Sequence, residues 1–204
     1  MNRRAYSMDT RAQGIEQNRV QIQQAVLALA ERQRLADIPL TDIAEFSGVS
    51  VRTLLRYYGS KDQLLRTVAE ELQAVMVEDR PPTPDDVRAA LAGLADHYET
   101  RARLVLMLLA QEDADPIAAF ITKLGKAYHR QWVARVFRLH LERDADLVDQ
   151  LVVATDVYAW KLLHLDRGLS KRKVVQRMTA MVRAICASSD RTAVFADALA
   201  EGTA

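Results

Sequence analysis

Apolar residues recur along this chain with the spacing of amphipathic α-helices. The first clear stripe consists of Ile22, Ala25, Val26, Leu29 and Ala30, which follow the order i, i+3, i+4, i+7 and i+8. No segment alternates apolar and polar residues as a half-buried strand would. Turn formers are scarce, with seven glycines and five prolines in 204 residues. The pattern predicts an all-α protein of nine to ten helices.

Two short helices are predicted after this first one. Thr41 is a suitable N-cap for a helix over residues 42–47, and Gly48 follows where a glycine often ends a helix. Ser50 is the predicted N-cap of the second short helix, over residues 51–58. The helices are thus separated by only three residues.

A longer helix and a linker come next. Ser60 and Gln63 form a capping box, and apolar residues continue at helical spacing to Met76. Residues 80–85 read Arg-Pro-Pro-Thr-Pro-Asp, and prolines at this density end a helix. This segment is the clearest linker in the sequence.

The second part of the chain is predicted to consist of longer helices. Asp115 followed by Pro116 is a strong helix start, and Ser170 is a suitable N-cap for the last helix. The predicted helices cover about residues 87–99, 116–141, 144–168 and 171–187.

Composition excludes several classes of protein. No apolar run is long enough to cross a membrane, and no apolar segment follows the basic N-terminal residues, so we expect no secretory signal. A single cysteine, Cys186, excludes an intramolecular disulfide and suits a reducing cytoplasm, where we predict that it fills the core. No phosphate loop, nucleophile elbow or C-x-x-C motif occurs, and no two of the four histidines are spaced i, i+4. We therefore expect a cytoplasmic protein without enzyme activity, cofactor or metal.

The charge is unevenly distributed. Residues 1–66 carry ten Lys or Arg against seven Asp or Glu, whereas the remainder carries 18 against 20. A mildly basic N-terminal part is compatible with nucleic acid binding.

The segment Gly48-Val49-Ser50 meets the physical requirements of a helix-turn-helix. Glycine permits a sharp turn, Val49 can pack between the two helices, and Ser50 lets the second helix begin abruptly. The first residues of that helix, with its positive dipole end, would then face DNA. Ile43 and the small Ala44 allow the two helices to approach closely.

This part of the sequence resembles the signature of the tetracycline-repressor (TetR) family. The matching segments read Thr-Asp-Ile-Ala from Thr41 and Gly-Val-Ser-Val-Arg-Thr-Leu-Leu-Arg-Tyr-Tyr-Gly-Ser-Lys-Asp-Gln-Leu-Leu from Gly48. The match covers about residues 18–72, and the remainder resembles the family only in architecture. The resemblance implies a three-helix DNA-binding head followed by a helical bundle for ligand binding and dimerisation. We accordingly divide the chain into a flexible arm, a helix-turn-helix domain, a ligand-binding and dimerisation domain and a tail, over residues 1–16, 17–66, 67–188 and 189–204.

The resemblance also implies a set of DNA contacts. Thr41 and Lys61 would bind phosphates, and the second short helix would enter the major groove. Two residues depart from the family pattern. Leu55 stands where a tyrosine is usual, and Arg52 occupies a position often held by a small residue, where a bidentate contact to guanine is its obvious use. The predicted DNA-binding residues are Thr41, Ser50, Val51, Arg52, Thr53, Arg56, Tyr57 and Lys61.

The C-terminal helices carry apolar residues on more than one face. A helix that is apolar nearly all round is buried on several sides, either within its own chain or against a second copy. The predicted dimer interface consists of Leu151, Ala154, Tyr158, Leu162, Val174, Met178 and Met181.

A site for a hydrophobic or amphipathic small molecule is implied by the resemblance. Its candidates are polar or aromatic residues among the apolar positions of the second domain, and such residues can also belong to the core or the surface. The candidate ligand-binding residues are His97, Tyr98, Met107, Gln111, Tyr128, Trp132 and Asp156.

These observations predict a homodimeric transcriptional repressor that leaves its DNA operator when a small-molecule effector binds. Two alternatives stay open. One is a regulator that a ligand or partner activates, and the other is a helix-turn-helix interaction protein that does not contact DNA.

Overall fold

The computed structural model describes residues 3–80, 83–84, 86–142 and 144–201 of the chain, and in these every regular element is helical. This confirms the predicted all-α fold. A 3-10 helix over Leu35–Asp37 and a π-helical turn over Leu162–Asp166 supplement the α-helices. The α-helices are α1 (Arg3–Ala30), α2 (Leu40–Ser47), α3 (Val51–Tyr58), α4 (Lys61–Asp79), α5 (Val87–Leu109), α6 (Pro116–Val136), α7 (Arg138–Leu141), α8 (Leu147–Thr155), α9 (Val157–Lys161) and α10 (Lys171–Glu201).

The chain forms two compact units. The first consists of Met1–Met76 and Arg103–Lys123, and the second of Val77–Ala102 and Leu124–Ala204. The first unit thus extends beyond the helix-turn-helix domain predicted over 17–66. The physical reason is its core, in which apolar side chains from two later segments are buried together with those of α1 to α4; these later residues are Leu104, Leu108, Ile117 and Ala118.

Three of the predicted N-caps are confirmed, and one is wrong. Ser60 Oγ accepts a hydrogen bond from the backbone N–H of Gln63 at 3.1 Å at the start of α4. The Ser50 side chain accepts a hydrogen bond from the backbone N–H of Thr53, and Asp115 Oδ1 accepts from two backbone N–H groups at the start of α6. Thr41 does not cap α2, because the helix already begins at Leu40 after Pro39, whose fixed φ places it just before a helix.

The helices also extend further than predicted at both ends of the chain. α1 begins at Arg3, where a flexible arm over 1–16 was expected, and α10 continues to Glu201, where a tail over 189–204 was expected. No proline interrupts either segment, and both are rich in residues with good helix propensity.

The helix predicted from Asp144 to Gly168 is instead interrupted. Asp156 has an extended backbone (φ −68°, ψ 156°), which ends α8 and starts α9, and its side chain caps the new helix by accepting from the N–H of Tyr158 at 2.8 Å. Aspartate favours such a helix start because its carboxylate replaces a backbone acceptor.

In the second unit, α8 packs against α10. One face of α8 buries Leu147, Leu151 and Ala154, and the facing side of α10 buries Val174 and Met178. Cys186 is also buried, as the sequence predicted.

Lys61 holds together a turn of the first unit. Its ammonium donates hydrogen bonds to the backbone carbonyls of Leu35 at 3.3 Å, Ala36 at 2.9 Å and Ile38 at 3.1 Å. These carbonyls belong to the 3-10 segment before α2, so one side chain at the start of α4 uses all three of its donors to fix the approach to α2.

We expect Lys61→Met to lower the free energy of unfolding by about 1.5–3 kcal/mol, because the three carbonyls lose hydrogen bonds from a charged donor. Chemical denaturation measures this change. Lys173→Met replaces an exposed lysine on α10 and is the matched control. Equal stability of the two variants would contradict a role of Lys61 in holding the turn.

Candidate nucleic-acid interface and a buried polar cluster

Helix α3 packs against the core of the first unit through one of its sides. Leu54 is 1% exposed, and Val49 and Ile43 are also buried in the core between α2 and α3. Gly48 adopts a left-handed conformation (φ 70°, ψ 9°), which a side-chain-bearing residue rarely takes, and this turns the chain between the helices. The helix-turn-helix geometry therefore follows from one apolar anchor on α3 and one glycine before it.

The opposite side of α3 is exposed and positively charged. Arg52, Leu55 and Arg56 are exposed and share one face at i, i+3 and i+4, and α3 contains no acidic residue. Tyr57 is also exposed, and the Arg56 guanidinium lies 4.8 Å from the centre of its ring. The face combines hydrogen-bond donors with apolar surface, the two kinds of group that read base edges in the major groove.

The N-terminus of α3 is closed by hydroxyl groups. Ser50 Oγ lies 3.0 Å from Thr53 Oγ1 and accepts from the Thr53 backbone N–H at 3.3 Å. Thr41 is exposed on α2, and its hydroxyl donates to Asp42 at 3.3 Å. Val51 is half-buried.

The predicted DNA-binding residues thus differ in their accessibility. Thr41, Ser50, Arg52, Arg56 and Tyr57 are exposed, and Val51, Thr53 and Lys61 are half-buried.

Sequence reasoning missed one exposed aromatic residue of α2. Phe46 is 54% exposed, although an apolar residue in an amphipathic pattern is usually assigned to the core. Its position between buried Ile43 and buried Ser47 in α2 left no signal of exposure in the sequence.

The second unit buries a group of polar and aromatic side chains, which we call the Arg80 cluster: Arg80, His97, Tyr98, Tyr128, His129, Trp132, Thr155 and Trp160. Arg80 is only 5% exposed. Its guanidinium carbon lies 4.7 Å from the ring centre of Tyr128 and 5.5 Å from that of Trp132. The Trp132 ring stacks on His129 with a centre-to-centre distance of 5.9 Å. The guanidinium is therefore surrounded by aromatic surface.

The hydrogen bonds of the cluster form a chain that leads from Arg80 through His129 to Thr155. Arg80 has only donors, so His129 Nδ1, at 3.3 Å from Arg80 Nη1, accepts and the proton lies on Nε2. Nε2–H then donates to the Thr155 hydroxyl at 3.1 Å, which donates to the carbonyl of Leu151 at 2.7 Å. Tyr98 donates its hydroxyl to the backbone carbonyl of Thr155 at 2.9 Å. The network ends at Thr155, the last residue of α8.

Burial and the neighbouring charge determine the protonation states in this network. Burial, reinforced by the positive charge of Arg80, lowers the pKa of His129 to about 3. Burial also raises the pKa of Tyr98 above its ordinary range, against the opposing effect of Arg80. His129 is accordingly a neutral acceptor, and Tyr98 a neutral donor, at physiological pH.

The structure brings four of the seven candidate ligand-binding residues into this cluster: His97, Tyr98, Tyr128 and Trp132. Asp156 instead caps α9, and burial raises the pKa of its carboxyl group. Met107 and Gln111 belong to the first unit. There the Gln111 side chain accepts from the buried Leu35 N–H at 2.9 Å and donates to the Met107 carbonyl at 2.6 Å, which is a structural role.

The cluster residue that sequence reasoning missed most clearly is Arg80. It stands at the edge of the proline-rich segment, where no helical period extends, so the pattern predicted an exposed linker. Its burial arises from contacts with α6, which the local sequence does not contain.

Four of the seven predicted interface residues lie in the core of the chain: Leu151, Ala154, Val174 and Met178. They pack α8 against α10, so they are not available to a second copy. Tyr158, Leu162 and Met181 are exposed, as are Val153 and Leu165. We call these five residues the apolar strip.

His129 gives the chain a specific acid sensitivity. Because the folded state keeps the imidazole neutral to about pH 3 whereas an unperturbed histidine titrates near 6.5, the unfolded state binds more protons in between. This contribution to stability is complete above pH 6.5 and is lost as the pH falls towards 3. We expect wild type to lose about 2 kcal/mol more than His129→Asn between pH 7 and pH 5, by denaturation at each pH. Parallel stability curves for the two proteins would contradict the neutral imidazole.

Within the described residues, no helix is sufficiently long and apolar to cross a bilayer, and no three His, Cys, Asp or Glu side chains are grouped as a metal site.

Comparison with known proteins gives one informative result. No protein-family model and no curated protein matches the sequence. Among solved structures, the chain is similar to a TetR transcriptional regulator from Rhodococcus sp. RHA1, with 20% sequence identity and a TM-score of 0.51. The match covers 84% of this chain and 97% of that one. The chain therefore has the TetR-type fold that the sequence predicted.

Proposed function

We propose that this protein is a DNA-binding transcriptional regulator that acts as a homodimer and responds to a small molecule. The observation that carries the proposal is the exposed face of α3, where Arg52, Leu55 and Arg56 stand opposite buried Leu54 with no acid on the helix. The resemblance of the fold to that of a TetR transcriptional regulator supports it.

In the proposed complex, α3 lies in the major groove of DNA. Arg52 reads a guanine through its two parallel donors, and Leu55 contacts a thymine methyl group. Thr41, Ser50 and Tyr57 contact the backbone, since hydroxyl groups and helix N-termini bind phosphate oxygens. Lys61 can bind a phosphate only by sharing donors that hold the turn before α2, so its larger contribution is to position that turn.

The apolar strip is the proposed dimer interface. Exposed Val153, Tyr158, Leu162, Leu165 and Met181 are all large apolar residues on the second unit. We propose that these side chains form one patch, because contiguous apolar patches on a protein surface mark interaction sites. A two-fold dimer would place two copies of α3 about 34–36 Å apart on successive turns of a palindrome-like operator.

For the response to a ligand, we propose that binding in the second unit weakens operator binding. Helix α4 connects Lys61 with Asp79, and Arg80 follows directly in the chain. A tilt of this helix would move the turn that Lys61 holds. The ligand-activated alternative predicts the opposite sign, and the interaction-protein alternative predicts no DNA binding at all. Mobility-shift assays on DNA flanking the gene, with and without candidate ligands, separate the three.

The DNA contact is tested with Arg52→Ala on sequences selected from random DNA. We expect a loss of about 1–3 kcal/mol on the selected operator and a relaxed preference at one base pair per half-site. Arg88→Ala, at an exposed arginine of α5, is the matched control and should bind like wild type. Equal losses on operator and random DNA would show that Arg52 contacts only the backbone.

The interface is tested with Leu162→Glu, which puts a charge on the apolar strip. Because Leu162 is 58% exposed within the chain, the fold should persist while dimerisation weakens by about 1.5–3 kcal/mol, the value of burying one leucine. Light scattering gives the oligomeric state. Leu139→Glu is the matched control, since Leu139 is 49% exposed and lies outside the strip. A monomeric wild type, or a Leu162→Glu variant as dimeric as Leu139→Glu, would refute this interface.

A further inference from the structure

Some hydrogen-bond donors of the Arg80 cluster have no acceptor among the described residues. Arg80 Nε, Trp132 Nε1 and Trp160 Nε1 are buried N–H groups without an acceptor among the described residues. The Trp132 ring borders the guanidinium, and Trp160 lies beside Tyr98 with ring centres 5.8 Å apart. Buried donors in folded proteins nearly always have a partner, so several unmatched donors in one cluster require an explanation.

The cluster also buries the positive charge of Arg80. No carboxylate whose side chain the structure describes forms an ion pair with Arg80, and the guanidinium is hydrogen-bonded there to two neutral groups, the imidazole of His129 and the hydroxyl of Tyr98. Other ion pairs of this unit, such as Arg130 with Asp149 and Lys161 with Asp166, lie at the surface. Aromatic faces stabilise a cation from above and below, but they do not accept the hydrogen bonds that a guanidinium donates within its own plane. A buried charge without a counter-ion is costly.

We propose that the Arg80 cluster binds a small monocarboxylate with an apolar body. One guanidinium matches one carboxylate in charge and in its planar pair of donors, and the indole N–H groups supply further donors to the anion. The rings of Tyr98, Tyr128 and Trp132 supply apolar contact to the rest of the molecule. This identifies the chemical class of the effector and rests on the ligand response proposed above.

Binding of a carboxylate would also change the network that ends at α8. Arg80 donates to His129 through one N–H, and a carboxylate competes for that donor. The relay from His129 passes through Thr155 to the junction of α8 and α9, the helices that carry Val153 and Tyr158 of the apolar strip. The ligand would thus act on the C-terminal end of α8.

Intrinsic fluorescence provides the measurement, because both tryptophans of the chain, Trp132 and Trp160, belong to the cluster. The probes are two matched pairs: 3-phenylpropionate with 3-phenylpropan-1-ol, and octanoate with octan-1-ol. We expect each acid to change the emission of the full-length protein saturably and to bind at least about tenfold more tightly than its alcohol. Equal affinity for acid and alcohol, or no response to either acid at millimolar concentration, overturns the proposal.

Variants test whether Arg80 is responsible for the preference for the acid over the alcohol. Arg80→Met should abolish the selectivity for the acid, and Arg80→Lys, which keeps the charge, should retain part of it. Arg172→Met changes an exposed arginine of α10 and should leave the selectivity intact. A loss of stability alone would not alter the acid-to-alcohol ratio, so full selectivity in a folded Arg80 variant overturns the assignment. If Arg80→Met does not fold, the affinities of the wild-type protein for the two acids and their matching alcohols still test the proposed preference for a carboxylate.

These binding measurements contain no DNA. They therefore test carboxylate binding separately from DNA binding, which the mobility-shift assay tests.

Discussion

Everything that α3 can present to a partner depends on the burial of its opposite side. Leu54 and Val49 fit into the core next to Ile43, and this fixes the rotation of α3 about its own axis. With Leu54 inside, Arg52, Leu55 and Arg56 must point outward, because they occur at the positions of the other helix face. Gly48 sets the angle at which α3 leaves α2, and the Ser50 side chain accepts a hydrogen bond from one free N–H group of α3, that of Thr53. Two apolar side chains and two turn residues thus orient the whole candidate interface.

A second constraint is the burial of a positive charge in the second unit. Burial is the main cause of the protonation states around this charge, and Arg80 reinforces the effect of burial at His129 and opposes it at Tyr98. His129 becomes a neutral acceptor with a fixed tautomer, and Thr155 and Tyr98 complete the network at the end of α8. Arg80 Nε and the two indole N–H groups of the cluster have no acceptor among the described residues, whereas buried donors in folded proteins nearly always have one.

The C-terminal helices show where pattern reasoning reaches its limit. α8 is apolar on two sides, and the sequence predicted correctly that one side would be buried in the chain or against another copy. The side predicted to face a second copy included Leu151 and Ala154. The structure instead places these two residues against α10 and leaves Val153 of α8 exposed. Leu151 and Val153 are both aliphatic, and only the position of the neighbouring helix distinguishes them.

The sequence by itself determined the features that depend on near neighbours in the chain: the all-α class, the glycine turn at Gly48, and the caps at Ser50 and Asp115. Such features are encoded within a few residues, since periodicity and capping act over one or two helical turns. Tertiary structure alone decided the burial of Arg80, the turn held by Lys61 and the outward face of α8. Each of these depends on groups far apart in the chain, such as Lys61 with Leu35 or Arg80 with His129. A local pattern records whether a side chain is polar or apolar, but the partner that neutralises, covers or hydrogen-bonds it is supplied by the packing of other elements.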